Sequence, residues 1–199
     1  MSLYIETIKL LDGELTNLQF HQRRFEETRS RALGLSTHPT LEQVIQVPDG
    51  MRNGLLKCRV VYGKEIIRIE FQPQEKRLVQ SLKMVHSDTI SYEYKMSDRS
   101  ALNELYNLRG SCDDILIIKN GCVTDSSFAN VVFLNDGRWF TPDTPLLPGT
   151  MRASLLARGD LDIMRITPDD LGKFQKARLI NAMNNLFEGN EIPIEAIMY

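Results

Sequence analysis

The segment VTDSSFANVVF, residues 123–133, places a carboxylate, two hydroxyls and an amide between two strand-like runs. Further along, LLPGTMR (residues 146–152) puts Gly149 and Thr150 immediately ahead of a predicted helix. The N-terminus of a helix binds phosphate well, because its backbone N–H groups and the helix dipole both favour an anion. Taken alone, the first segment is more typical of a polar turn and the second of a plain helix cap. It is the two together, in this order, that point beyond a structural role.

The composition is that of a globular protein: 199 residues, 42% hydrophobic and 25% charged. The net charge of −2 argues against a general binder of nucleic acid or of membrane surfaces. The first residues, MSLYIETIKL, do not form a signal peptide, and no stretch approaches the roughly 20 apolar residues of a membrane span. We therefore predict a cytoplasmic protein with no nucleic-acid or membrane partner.

Familiar catalytic and metal-binding motifs do not occur in the sequence. The three cysteines are Cys58, Cys112 and Cys122. They lack CxxC spacing and a histidine cluster, so free thiols and no metal site are predicted. Gly-rich nucleotide loops, GxSxG and HExxH do not occur either. His21 is interpreted as a packing or hydrogen-bonding residue on a helix.

Strand-like runs dominate the chain, with helices interspersed. Hairpin or tight turns are predicted at Asp12-Gly13, Gly63-Lys64, Asn120-Gly121 and Asp136-Gly137. Helices are predicted from Leu18 to Gly34, from Pro39 to Val47, from Ser97 to about Leu108, within residues 145–159 and from Pro168. Hairpins outnumber βαβ crossovers, which predicts an α+β fold of mostly antiparallel sheets with flanking helices. We expect two lobes: a small N-terminal one over residues 1–80 and a larger one over residues 81–199 that carries Lys95.

The chain resembles the class IV aminotransferases, also called fold-type IV enzymes of pyridoxal 5′-phosphate (PLP), over nearly its whole length. The matching features are ETIKLLDG (residues 6–13), His21 and Arg24, KCRVVYG (residues 57–63), YKMSDR (residues 94–99), VTDSSFANVVF and LPGTMR. The family pattern over the last two is V-T-E-x-x-x-A-N-[LV]-F followed by [LI]-x-G-[IV]-[TM]-R. The resemblance implies the two-lobed fold of the D-amino-acid aminotransferase-like enzymes, PLP as the cofactor, and a homodimer.

The resemblance also implies roles for individual residues. Lys95 would carry PLP as a Schiff base and move a proton on the substrate, which makes it the catalytic residue. Asp125 stands where the family usually has Glu, and would keep the pyridine nitrogen protonated. Further cofactor contacts are implied for Arg59, Ser126, Gly149, Thr150, Met151 and Asn181. Of these, Arg59, Thr150 and the N–H of Met151 match phosphate-binding positions, and Asn181 falls in a third phosphate-side loop.

Two short patterns bear on the reaction. Lys95 is followed by Met96-Ser97-Asp98-Arg99, which looks like the K-x-x-N-R of 4-amino-4-deoxychorismate lyases, and INAM (residues 180–183) looks like their N-A-[LM]. These matches imply a lyase that releases pyruvate from a small-molecule amine to give 4-aminobenzoate, a folate precursor. A branched-chain or D-amino-acid transaminase using the same residues is the alternative. A non-catalytic relative that retains the fold is a second alternative, motivated by Asp125 and a shortened small lobe.

Overall fold

The computed structural model describes residues 2–75 and 77–199. The chain forms two compact units. The first comprises Met1–Lys76 with Tyr94–Asp98, and the second comprises Arg77–Glu93 with Arg99–Tyr199.

The first unit is a four-stranded antiparallel sheet covered by a helix. Its strands are β1 (Tyr4–Leu11), β2 (Glu14–Leu15), β3 (Leu55–Tyr62) and β4 (Ile66–Pro73), in the order β2-β1-β3-β4. Helix α1 (Leu18–Leu33) ends at Gly34, which has a left-handed conformation, and the short helix α2 (Leu41–Val44) follows. Alternate side chains of β1 and β3 pack beneath α1 around Phe25 and Tyr62, whose ring centroids are 4.7 Å apart.

The segment that contains Lys95 is an addition to the edge of β1. Met96 forms an antiparallel bridge with Tyr4, and the Ile5 N–H donates to the Lys95 carbonyl at 2.9 Å. The Ser97 N–H donates to the carbonyl of Leu3 at 2.7 Å. The helix predicted to begin at Ser97 begins later, as α3 (Ser100–Tyr106), and Met96 and Ser97 pair with the β1 edge instead. The same pairing groups Lys95 with the first unit, whereas the sequence places it in the larger lobe.

The second unit is built on a mixed sheet. Its strands are β5 (Leu82–His86), β6 (Asp114–Lys119), β7 (Cys122–Ser126), β8 (Asn130–Asn135), β9 (Arg138–Pro142), β10 (Asp162–Met164), β11 (Lys176–Ile180), β12 (Ile192–Pro193) and β13 (Ile197–Met198). The main path runs β10-β9-β8-β7-β6-β5-β13, with β11 paired to β8 and β12. Antiparallel pairing predominates among the described strands, as the sequence predicts, while β5–β6, β5–β13 and β9–β10 are parallel.

Tight turns and a buried core hold β6 to β9 in register. Asn120-Gly121 and Asp136-Gly137 have positive φ at both residues, the geometry of hairpin turns that the sequence predicts there. Residues 115–118 are fully buried. Helix α4 (Thr150–Arg158) packs through Met151 and Leu155 on a separate apolar cluster. This framework brings the end of β7, the start of β8 and the start of α4 together.

Other predicted elements differ in extent. The helix expected over residues 39–47 is confined to α2, and the one expected from Pro168 is the 3₁₀ turn Pro168–Lys173, which begins at a Thr167–Asp170 capping box. All three cysteines are buried free thiols. Among the described residues, no helix has both the length and the apolar character that a membrane span requires.

Candidate active site

The turn between β7 and β8 is organised by Ser126. Its backbone N–H donates to the Ala129 carbonyl at 2.9 Å, and its Oγ donates to the same carbonyl at 3.1 Å. The Ser126 Oγ also accepts from the Ala129 N–H at 3.1 Å. The hydroxyl of this predicted cofactor contact is therefore used to shape the turn.

Asp125 is a buried carboxylate just before that turn. Its Oδ1 accepts from Asn130 Nδ2 at 2.7 Å, and its Oδ2 accepts from the Leu147 N–H at 2.8 Å. Burial raises the pKa of Asp125 to about 6, although the hydrogen bonds from Leu147 and Asn130 and the charge of Arg152 lower it. A carboxylate has about four acceptor positions, so the hydrogen bonds from Asn130, Leu147 and Leu146 leave Asp125 able to accept another.

Helix α4 begins beside Asp125. Gly149 is its N-cap, and Thr150 and Met151 are buried in the first turn. Arg152 anchors this turn to β9, because its Nε donates to Thr141 Oγ1 at 3.2 Å and its Nη2 donates to the Pro142 carbonyl at 2.9 Å. The structure thus brings Asp125, Ser126, Gly149, Thr150 and Met151 into one region of the second unit.

Asn181 lies in a turn at the end of β11. Its Oδ1 accepts from the N–H groups of Met183 and Asn184, at 2.9 and 3.0 Å. The side-chain oxygen therefore stabilises its own turn. A cofactor contact from this predicted phosphate-side residue stays a prediction.

A network of buried charges lies on the α1 side of the first sheet. Arg24 binds both carboxylate oxygens of Glu6, Oε1 from Nε at 2.9 Å and Oε2 from Nη2 at 2.6 Å. His21 Nδ1 lies 2.6 Å from Glu6 Oε2. Burial alone would raise the pKa of Glu6, but the Arg24 charge and the hydrogen bonds from His21 and Arg24 lower it to about 2. Glu6 is therefore ionised, and His21 must be the donor, as its interpretation as a hydrogen-bonding residue predicts.

The charge of Lys95 also affects the pKa of His21 in this network. Burial lowers the pKa of His21, the Glu6 carboxylate opposes this, and the charges of Arg24 and Lys95 lower it further. His21 is thus neutral at neutral pH, and the Lys95 amine lies within electrostatic range of it.

Arg59 lies on the opposite face of the same sheet. Its pairing partner is Thr7, whereas Glu6 pairs with Val60, and successive side chains of a strand point to opposite faces. Within the described part of the chain, the buried Nε of Arg59 has no hydrogen-bond partner. A buried donor of this kind suits an anionic ligand, since an unpaired buried polar group is costly.

Three buried polar residues stand outside the site predicted from the sequence: Asn130, Glu6 and Asp114. Asp114 is fully buried, accepts from Ser127 Oγ at 3.0 Å and forms an ion pair with Arg77 at 3.0 Å. One signal was available for Glu6, which alternates with the apolar residues Tyr4 and Ile8 on β1. No group of three or more potential metal-binding side chains occurs among the described residues.

A model of the amino-transferase class IV family matches residues 89–192. An uncharacterised protein of Haemophilus influenzae is 39% identical over 183 residues, which cover 91% of this chain and 97% of that protein. The chain belongs to the class IV aminotransferase family. Its matched region spans most of the second unit together with the Lys95 segment.

Solved structures agree with this family assignment. A crystal structure from Haemophilus somnus, provisionally named a 4-amino-4-deoxychorismate lyase, is 35% identical, covers 94% of this chain and 98% of its own, and has a TM-score of 0.88. A hypothetical aminotransferase from Mycobacterium tuberculosis, in its PLP-bound form, is 16% identical, covers 96% of this chain and 80% of its own, and has a TM-score of 0.78. The latter similarity concerns the fold alone. The fold predicted from the class IV resemblance is confirmed.

Proposed function

We propose that this chain is a PLP-dependent lyase that converts 4-amino-4-deoxychorismate into 4-aminobenzoate and pyruvate. Membership of the class IV family supports the broader part of this statement: the chain is an enzyme, and its cofactor is PLP. The observation that carries the proposal is the buried Asp125 carboxylate beside the N-terminus of α4, because a ring nitrogen and a phosphate need these two kinds of group.

The chain's residues fit the cofactor. The Asp125 carboxylate retains acceptor capacity for a protonated ring nitrogen. The backbone N–H groups at the start of α4 suit a phosphate, and the buried Nε of Arg59 is a further donor that suits a phosphate. These assignments, with those of Ser126, Thr150, Met151 and Asn181, are proposals.

Lys95 is the proposed catalytic residue. When bound, PLP supplies an electron sink for the pair of electrons that remains when a substrate proton is removed. Lys95 Nζ would hold the cofactor, take the ring proton from the substrate and return a proton to the departing enolpyruvyl group. One substrate molecule then gives one 4-aminobenzoate and one pyruvate, with no other reactant consumed.

Support for the lyase reaction comes from the KMSDR and INAM segments and from the Haemophilus somnus relative. The assay supplies 4-amino-4-deoxychorismate and measures both products, which should appear in equal amounts. Transfer of the amine to a 2-oxo acid, without pyruvate release from the chorismate derivative, would contradict the lyase and leave the transaminase.

The site assignment is tested separately by borohydride reduction and peptide mapping. The pyridoxyl label should appear on Lys95. Lys119, whose Nζ donates to the Ile90 carbonyl at 2.7 Å, is the matched control, and Lys119→Ala should retain label and turnover while Lys95→Ala loses both. A label on Lys83 or Lys119 would refute the role of Lys95.

We also propose a homodimer, as the class IV resemblance implies. Sedimentation equilibrium should give twice the chain mass of 22.8 kDa. A fully active species that stays at the single-chain mass at every concentration would contradict this.

A further inference from the structure

Asp125 and the start of α4 share one neighbour, the side chain of Asn130. Asp125 and Asn130 are directly paired across β7 and β8, so their side chains leave the sheet on the same face. Asn130 is 5% exposed. The neighbouring residues therefore determine the orientation and the hydrogen bonds of its amide.

Both hydrogen atoms of the Asn130 amide are used. Nδ2 donates to Asp125 Oδ1 at 2.7 Å and to the Leu147 carbonyl at 2.8 Å. Two acceptors on one side allow a single orientation of the amide, with the nitrogen toward Asp125 and Leu147. Since Leu147 also donates its N–H to Asp125 Oδ2, the three residues form a closed set of hydrogen bonds.

The other end of the amide packs against the N-cap of α4. A Cβ placed on Gly149 would lie only 2.0 Å from Asn130 Oδ1. The Gly149 φ of −71° is open to any residue, so the close approach of Asn130, and not backbone conformation, requires glycine here.

We infer that Asn130 is a positioning residue that holds the Asp125 carboxylate and the start of helix α4 in one fixed arrangement. The inference rests on the proposed function, since it concerns the two groups proposed for the ring nitrogen and the phosphate. Loss of the amide should weaken both ends of the cofactor site together. The helix itself should persist, because Arg152 anchors it to β9 and Leu155 is fully buried in its own cluster.

The first test measures dissociation constants of the apo protein for PLP and for pyridoxal, which lacks the phosphate. Asn130→Ala should weaken PLP binding by about 10-fold or more, the order expected for a lost hydrogen bond to a buried charged group. It should weaken pyridoxal binding and also lower the preference for PLP over pyridoxal. Asn135→Ala, at the far end of the same strand, is the matched control and should change neither value.

The second test is a double-mutant cycle. Gly149→Ala should weaken PLP binding in the wild-type background, because its methyl group displaces the amide of Asn130. In the Asn130→Ala background the same change should cost little, since the obstructing amide is gone. Equal losses in both backgrounds would overturn the inference.

The third test uses pH. In Asn130→Asp, the introduced carboxyl faces Asp125, and two adjacent carboxylates resist ionising together. Protonation gives the introduced group one donor for Asp125, so the PLP affinity of Asn130→Asp should rise relative to that of the wild type at the same pH as the pH falls. Arg152, whose charge acts on Asp125, is unchanged in the variant.

The outcomes separate the two proposals. Wild-type protein that binds no PLP would refute the proposed function and this inference with it. Wild-type protein that binds PLP, with Asn130→Ala equal to it in affinity and only lower in melting temperature, would overturn the inference alone.

Discussion

At the scale of single residues, Asp125 combines the proposed contact with the ring nitrogen of PLP with hydrogen bonds to the protein. A Glu, whose side chain is one methylene longer, would place its carboxylate differently relative to both. Its carboxylate holds the Leu147 N–H as well as the Asn130 amide. Asp125→Asn should lower turnover by about 10²-fold, because an amide cannot stabilise a charged ring nitrogen as a carboxylate does. PLP affinity should fall less, by about 10-fold, through the lost acceptor for Leu147.

The measurements are turnover at saturating PLP and a PLP titration of the apo variant. Asp136→Asn makes the same change at an exposed hairpin turn and serves as the control. If Asp125→Asn keeps near-full turnover, Asp125 is only a turn residue; if it loses PLP altogether, its main task is to hold the cofactor.

A second prediction concerns the titration of Asp125. Burial raises the pKa of its carboxyl to about 6, so the group is mostly ionised above pH 6 and mostly neutral below it. Because only the ionised form can balance a positive ring nitrogen, PLP affinity of the apo protein should fall as the pH drops through about 6. The Asp125→Asn variant controls for titration of the cofactor itself. Identical pH profiles for variant and wild type would rule out Asp125 as the titrating group.

Sequence reasoning reaches these residues but not their partners. Lys95 and Asp125 stand within short segments that match a family pattern. Leu147 follows Asp125 by 22 positions, and its bond to the carboxylate exists only because β8 and β9 fold back between them. Ser126 stays a predicted cofactor contact, and its hydroxyl also hydrogen-bonds within its own turn, which the sequence does not indicate.

At the scale of elements, the buried Glu6 network joins β1 to α1. The pKa of Glu6 is lowered from 4.5 to about 2. A lowered pKa means that the ionised carboxylate stabilises the fold above pH 4.5, and that this stabilisation is lost as the pH falls from 4.5 toward 2. Glu6→Gln should cost about 3 kcal/mol at neutral pH, the order found when one member of a buried ion pair is removed.

Urea unfolding across that pH range tests this prediction. The wild-type protein should lose free energy of unfolding below pH 4.5, and the difference from Glu6→Gln should shrink there. Glu14→Gln, on the exposed neighbouring strand β2, is the control. A difference that stays constant down to pH 2 would show that Glu6 acts through packing and not through its charge.

Local sequence patterns predict the hairpin turns correctly but not the start of helix α3. Asp12-Gly13 and Asn120-Gly121 are hairpin turns with positive φ at both residues, as their sequence predicts. Ser97 was predicted to cap a helix because local chemistry favours it. Ser97 instead pairs with Leu3 through its N–H, a contact that no local pattern contains, and α3 starts at Ser100.

At the scale of the whole molecule, the sequence does not predict that the first unit is formed by two separate stretches of the chain. Composition and turns predict two lobes and a division near residue 80. Tyr94–Asp98 belongs to the first unit because its backbone pairs with β1. Amino-acid composition does not indicate such pairing. The parallel pairing of β5 with β6 differs from this, since the helix between the two strands is the order typical of parallel neighbours.

A final prediction uses the stability of the folded protein to separate the proposed roles of Lys95 and the phosphate site. A ligand that binds only the folded state raises its stability by mass action, by about 2.7 kcal/mol at 100 times the dissociation constant. PLP should therefore raise the melting temperature of the apo protein. Pyridoxine 5′-phosphate, which has the same phosphate but no aldehyde, should raise it less, because it cannot bond covalently to a lysine. In Lys95→Ala the two compounds should give equal shifts, since the phosphate and ring contacts remain while the covalent bond is lost. Lys119→Ala should behave as the wild type.

If Lys95→Ala still responds more strongly to PLP than to pyridoxine 5′-phosphate, another lysine holds the aldehyde; if neither compound shifts the wild type, the chain does not bind the cofactor.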